Sequence, residues 1–268
     1  MDKRQNLELI ADISNANGAP GFEDDVVAQI RRHAEGLGEL REDSLRNFYI
    51  YRKENKGNRP VVQLDGHSDE VAFMVQAIRP DGNLRIIPLG GWVTSNVPAH
   101  KVWVRNALGE YIPGIVASKP PHYMTEAERK APLVFENITV DVGAVSKEEA
   151  ENEFHIRIGE PVVPDVTFTY DEKHDLMVGK SFDCRLGCAS IVSTLRELQG
   201  EELAVDVVGA CCSQEEVGTR GSQVTCRTVN PDIAIVFEGC PADDTCVEAT
   251  WFRRPSKKDR CFATWMPA

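Results

Sequence analysis

Val61-Val62-Gln63-Leu64-Asp65-Gly66-His67-Ser68-Asp69-Glu70 begins as an apolar run and ends polar. Val61 to Leu64 reads as a buried strand, which Asp65, Gly66 and His67 bring to its end. Open α/β sheets place their sites at such strand ends. A His two residues before an Asp suits a metal site, because neutral imidazole binds a divalent ion while a nearby carboxylate can hold the ring. The same pair also occurs as a hydrogen-bonded surface turn, so its meaning depends on what accompanies it.

Three further segments carry metal-type ligands where an apolar run ends or a turn begins: Ser181-Phe182-Asp183-Cys184-Arg185, Ser213-Gln214-Glu215-Glu216-Val217-Gly218, and Val236-Phe237-Glu238-Gly239. Taken singly each has an ordinary explanation. Asp183 can cap a helix, Glu215-Glu216 can be a solvated pair, and Glu238 can cross the surface at a strand end. Jointly they supply oxygen and nitrogen ligands for a pair of divalent ions, with one Glu left over for proton transfer. Two neighbouring carboxylates at a strand exit can diverge, one binding metal and the other facing the water to be activated.

Upstream, Leu7 to Ser14 has helical spacing and stops at Asn17-Gly18-Ala19-Pro20-Gly21; Glu23, Asp24 and Asp25 then bring acidic charge to the start of a second helix, as the helix dipole favours. Phe48 to Tyr51 alternates as a strand. From about Arg79 to Asp165 short β-rich runs (Leu84 to Ile87, Val102 to Val104, Ile138 to Val140) alternate with Gly, Pro and Asn turns, which reads as an inserted β domain. After Gly179 come a helix from about Ala189 to Leu198, a strand from Leu203 to Ala210, a polar turn with Gly218 and Gly221, and a strand from Ile233 to Phe237. The alternation indicates a mainly parallel α/β sheet covered on both sides. The expected divisions are 1–75 and 167–249 for the two parts of one domain, 76–166 for the insert, and 250–268 for an aberrant tail.

The chain has 268 residues, 42% of them hydrophobic and 27% charged, a composition that packs a core. Its net charge of -12 and the lack of a long basic stripe argue against a nucleic-acid partner. Neither a signal peptide nor a run of membrane-spanning length is present, so no membrane partner and a cytoplasmic location are the default expectations. All eight cysteines lie in the second half and none forms a CxxC pair, so they read as reduced, small buried hydrophobes rather than ligands.

Ala19-Pro20-Gly21-Phe22-Glu23, Gly66-His67-Ser68-Asp69-Glu70-Val71, Gly179-Lys180-Ser181-Phe182-Asp183-Cys184-Arg185 and Gln214-Glu215-Glu216-Val217-Gly218-Thr219-Arg220-Gly221 together resemble the peptidases that include glutamyl, deblocking and large tetrahedral aminopeptidases. The resemblance runs from about residue 7 to 246. It implies an α/β fold with a zinc-peptidase-like mixed sheet, helices on both faces, and a β-barrel-like insert used for homo-oligomer formation. It also implies two divalent metal ions, zinc or cobalt as a rule, and a peptide substrate that loses its N-terminal residue. By resemblance His67 binds one metal, Asp183 bridges both, Glu216 binds one and Glu238 stands at an acidic ligand position. Glu215 is then the general base, and Asp69 orients His67. Three positions depart from the pattern: Cys184 where a second Asp is usual, Arg46 where Asp-x-x-Gly-Asn has Gly, and Glu238 where Asp is commoner.

The family has a further metal-binding His near its C-terminus, whereas none of the six His here follows Glu238. Thr250 to Ala268 shows no period. Read one base earlier, the codons of Trp265-Met266 and Met266-Pro267 force Asp and Ala, and the preceding codons permit a family-like string. The expectation is a frameshift near residues 246–252, so that catalytic impairment, or a role as an assembly partner, stands as the alternative to an active aminopeptidase.

Overall fold

The computed structural model describes residues 2–239. In chain order, α1 (Lys3–Asn15), α2 (Asp24–Ala34), β1 (Gly38–Glu42), β2 (Phe48–Arg52) and β3 (Val61–His67) come first. Next are β4 (Ala72–Ile78), β5 (Leu84–Leu89), β6 (Lys101–Arg105), β7 (Tyr111–Ser118), α3 (Glu126–Lys130), β8 (Ile138–Asp141), α4 (Lys147–Asn152) and β9 (Pro161–Pro164). The remainder is β10 (Thr169–Asp171), β11 (Leu176–Val178), α5 (Phe182–Glu197), β12 (Asp206–Cys212), α6 (Arg220–Val229) and β13 (Ile233–Val236). The described residues form two compact units, 2–70 with 167–239, and 71–166.

The first unit is built on a five-stranded sheet of order β1-β2-β12-β3-β13. β12 and β13 flank β3 in parallel, while β1 to β2 and β2 to β12 are antiparallel. The sheet is therefore mixed, not mainly parallel; only the pairs beside β3 have the parallel arrangement that helix crossovers produce. Side chains alternate across it. Phe48, Ile50, Leu64, Val207 and Cys211 pack with Leu9 and Ile13 of α1, Val26 and Ile30 of α2, and Cys188, Ile191 and Leu195 of α5. On the opposite face Tyr49, Ala210 and Cys212 meet Val229 of α6.

β3 comes unusually close to α5. A Cβ on Gly66 would lie 3.2 Å from the carbonyl carbon of Gly187 and 3.4 Å from the nitrogen of Cys188, so both backbones approach through glycine. Register then carries the fold to its chemistry: Cys212 pairs with His67, and Val236 with Asp65. The carboxyl ends of β3, β12 and β13 thus lie together.

Several element boundaries move. The strand expected at Leu203 to Ala210 is Asp206–Cys212, because Leu203 and Val205 pack against the core from the preceding connection while Cys211 and Cys212 extend the ladder to His67. The helix expected from Ala189 starts at Phe182, with Asp183 and Cys184 in non-helical conformations. Gly221 belongs to no turn: it lies in α6, where a Cβ would meet the Ser213 carbonyl oxygen at 2.3 Å. β-branched Val224, Thr225, Thr228 and Val229 disguise that helix.

The second unit is a closed barrel of order β4-β5-β8-β7-β6-β9. Every neighbouring pair is antiparallel, and β9 pairs with β4 to close it. Closure removes the sheet edges. Alternating inward residues, among them Phe73, Val75, Leu84, Ile86, Val102, Val104, Ile138 and Val140, fill it, and Phe73 stacks on Trp92 with ring centroids 4.3 Å apart.

Candidate metal centre

His67 closes β3 with its side chain buried on the face that carries α6. Its Nε2 lies 2.9 Å from Asp183 Oδ1, 3.8 Å from Glu238 Oε1 and 3.9 Å from Glu215 Oε2. Two ligand groups result: His67, Asp183, Cys184 and Glu238 offer atoms within 4.8 Å of one another, and so do His67, Glu215 and Glu216. All the candidates from separate strand ends converge, and His67 belongs to both groups. A cavity of ≈ 370 Å³ adjoins them, lined by Gln63, Asp65, His67, Glu215 and Glu238 among others.

Asp183 is held by a buried ion cluster. Glu70, 2% exposed, accepts from Lys180 Nζ at 3.0 Å, Ser181 Oγ at 2.7 Å and Arg185 Nη2 at 3.1 Å, on both sides of Asp183, and from the Gly18 N–H at 3.0 Å. Arg185, 1% exposed, spends its remaining donors on the carbonyls of Ile13, Ser14, Ala16 and Ser68. Burying such a charge costs several kcal/mol in order-of-magnitude terms unless every donor is met, and here the donors also tie α1 to the start of α5.

Glu215 and Glu216 are aimed by their backbone. The Ser213 N–H donates to Asn47 Oδ1 at 2.9 Å, Gln214 N–H to Glu23 Oε1 at 3.1 Å, Glu215 N–H to Asp69 Oδ1 at 2.9 Å and Glu216 N–H to Asp69 Oδ2 at 3.0 Å. Four successive amides thus end on side-chain oxygens. Asp69 Oδ1 also lies 3.4 Å from His67 Nδ1, a separation without hydrogen-bond geometry, so this buried nitrogen has no partner among the described residues.

The electrostatics are those of crowded carboxylates. Burial, then the Asp69, Asp183 and Glu215 charges against the opposing pull of His67, pushes Glu216 up to about 8. Burial and the hydrogen bond with Asp183 push Glu238 up to about 7, and burial raises Glu215. Burial acts on Asp183 in the same sense, but its hydrogen bonds with His67 and Glu238 outweigh it and leave Asp183 below the usual range. Burial lowers His67, yet its pairing with Asp183 and the adjacent Asp69 carry it well above the ordinary value. Such a set attracts divalent cations, and its mixed nitrogen and oxygen donors fit borderline or hard ions.

Two residues had only weak signals in the sequence. Glu23 reads as a helix-start acid, but Asp24 and Asp25 occupy the first turn of α2, while Glu23 is wholly buried and makes no cap bond. Asn47 follows Arg46, where the family pattern has Gly. Arg46 adopts φ 75, a conformation favouring glycine, and its guanidinium pairs with Glu42 and Asp24. Of the cysteines among the described residues, Cys184, Cys188, Cys211 and Cys212 are buried and free as expected, whereas Cys226 is exposed and the Cys184 sulfur falls within one of the two candidate ligand groups. Cys240, Cys246, Cys261 and the proposed frameshift lie outside the described residues.

The described residues comprise a closed barrel unit and a mixed α/β sheet unit with acidic side chains gathered at its strand ends. The chain belongs to the M42 glutamyl aminopeptidase family, whose model matches residues 47–251. It is 36% identical over 240 residues to FrvX of Escherichia coli (strain K12), covering 89% of this chain and 65% of that one. It is 30% identical over 242 residues to the glutamyl aminopeptidase of Lactococcus lactis subsp. cremoris (strain MG1363), covering 89% and 68%. The TET aminopeptidase of the marine sediment archaeon Thaumarchaeota archaeon SCGC AB-539-E09 superposes with a TM-score of 0.85 at 36% identity, over 90% of this chain and 68% of that one. The chain therefore spans about two thirds of the length of these relatives.

Proposed function

We propose that this chain is a metal-dependent aminopeptidase that removes N-terminal residues from peptides, using two divalent ions, zinc or cobalt, with Glu215 as general base. The observation that carries this reading is the convergence of Asp183, Glu215 and Glu238 within 3.9 Å of one imidazole nitrogen. Bound ions supply polarisation of the peptide carbonyl and a water acidic enough to attack at neutral pH. His67, Asp183, Glu216 and Glu238 would hold them. Glu215, half-buried and with its carboxyl raised, takes the proton from the attacking water and returns it to the leaving amine. Asp69 sets the direction of the glutamate pair and lies beside the imidazole.

The barrel unit is the proposed surface for a homo-oligomer. That unit exposes the large apolar side chains of Leu108, Tyr123, Val145 and Ile158. A peptide substrate and a cytoplasmic location belong to the same reading, with no nucleic-acid partner for a chain of net charge -12. No described helix is long and apolar enough to cross a membrane.

A second reading is a catalytically impaired chain or an assembly partner of such a peptidase. Metal content measured beside turnover on a panel of peptides separates the two. Metal uptake with release of N-terminal residues supports the aminopeptidase; metal uptake without release supports the second reading. Neither uptake nor release overturns the aminopeptidase and leaves the second reading.

A further inference from the structure

Glu23 stands apart from every role assigned so far. It is 0% exposed, and its Oε1 accepts two backbone N–H groups, Gly21 at 2.8 Å and Gln214 at 3.1 Å. Its Oε2 is buried without a hydrogen-bond partner among the described residues. A buried carboxyl group left half-unsatisfied is costly, and replacement by an apolar side chain of similar shape would ordinarily be tolerated.

What Glu23 holds explains why it is there. Gly21 has φ 85 and Gln214 has φ 53, so one oxygen ties together two turns in left-handed conformation. Gln214 is not glycine, and a left-handed conformation is strained for it, so surrounding contacts must hold it there. The next two amides, of Glu215 and Glu216, point at Asp69. On the carbonyl side, Gln214 accepts from the Arg220 N–H, and Glu215 from those of Gly218 and Thr219, so the whole turn moves as one. The turn that sets their direction begins at Gln214, and Glu23 supplies its acceptor.

We infer that Glu23 is a positioning residue: through the Gln214 amide it sets the direction of the Glu215-Glu216 pair, without touching the ligand groups. The inference rests on the peptidase reading for its effect on turnover, but its structural content is tested independently of activity.

The test uses the full chain with Glu23→Met, which keeps the length and removes the acceptor, and Glu23→Gln, which keeps the acceptor. Amide hydrogen exchange is measured across residues 213–217 and, as the internal reference, 206–212. Glu23→Met accelerates exchange at 213–217 by about tenfold or more relative to 206–212, as expected for a local opening. Glu23→Gln stays near the parent chain. Unchanged exchange at 213–217 in Glu23→Met, or equal acceleration of both segments, overturns the inference. Should Glu23→Met fail to fold, Glu23→Asp, one methylene too short to serve both amides, carries the same comparison. Where the parent chain turns over peptide, Glu23→Met lowers kcat by roughly ten- to a hundredfold with KM little moved, as misaimed groups do; unchanged kcat overturns the inference. A parent chain without turnover counts against the peptidase reading alone, and the exchange result still decides this one.

Discussion

Asp69 Oδ1 accepts the backbone N–H of Glu215 at 2.9 Å, so a wholly buried carboxylate two residues beyond a metal-type His directs the candidate general base from behind. Its other oxygen serves Glu216 at 3.0 Å. Asp69→Asn can meet only one of these amides and turns a donor towards the other. A buried donor left unmet costs about 1–3 kcal/mol. The expected outcome is a lower unfolding midpoint together with weakened metal uptake, measured by denaturant titration and metal analysis; unchanged values of both contradict the arrangement.

Glu215→Gln keeps the backbone clamp and removes the proton acceptor. Peptide hydrolysis is expected to fall roughly 10²- to 10⁴-fold, the usual range for a general base. Metal content distinguishes its role, since it stays at the parent level if Glu215 moves protons and drops if Glu215 is instead a ligand.

The metal-free chain should lose stability as pH rises from about 4.5 to 8. Glu216 and Glu238 have folded values raised to about 8 and about 7 from an ordinary 4.5. A raised carboxyl contributes stability fully present below its unfolded value and lost as pH climbs through the folded one. His67, also raised, acts in the same direction, and Asp183, lowered, acts only at acid pH. Thermal midpoints measured in chelator from pH 5 to 8.5 should fall, and saturating zinc or cobalt should abolish the fall. A flat profile in chelator would falsify the crowded-carboxylate account.

Glu70→Ala breaks the buried cluster around Asp183. Removing one partner of such a cluster costs about 3–5 kcal/mol because Arg185 and Lys180 lose their counter-charge. Urea unfolding reads the loss directly. An effect below 1 kcal/mol, as for a surface pair, would mean that the cluster is not buried.

Gly221→Ala tests the α6 start. Its Cβ would lie 2.3 Å from the Ser213 carbonyl oxygen and 2.5 Å from Asn47 Oδ1. Overpacking of this kind costs about 1–3 kcal/mol, and here it pushes on the turn that carries Glu215. Both stability and metal uptake should fall, whereas Gly200→Ala, which meets nothing within 4 Å but has φ 78, should lower stability alone.

Much of the candidate site was legible because its metal-type residues sit where local patterns change. His67, Asp183, Glu216 and Glu238 each stand at the end of an apolar run or the start of a helix, and the alternation of short turn-punctuated strands announced an inserted β domain, which the family resemblance made barrel-like. Glu23, Asn47 and Glu70 were far less legible in their roles. Each acts on backbone groups distant in sequence, and an acid before a helix looks the same whether it caps that helix or reaches a strand far along the chain. Similarly, α6 was hidden because its β-branched residues favour extended chain locally, a preference overridden by packing on β12.

Apolar periodicity and residue type thus determined, without coordinates, an α/β sheet with a β insert and the chemical nature of the candidate ligands, since both depend on neighbours within a few residues. Only the tertiary structure decided the strand order that pairs Cys212 with His67 and the clamp of Glu23 and Asp69 on successive amides. Those depend on contacts across more than a hundred residues, where hydrogen-bond geometry and close packing select among partners that local pattern leaves equivalent.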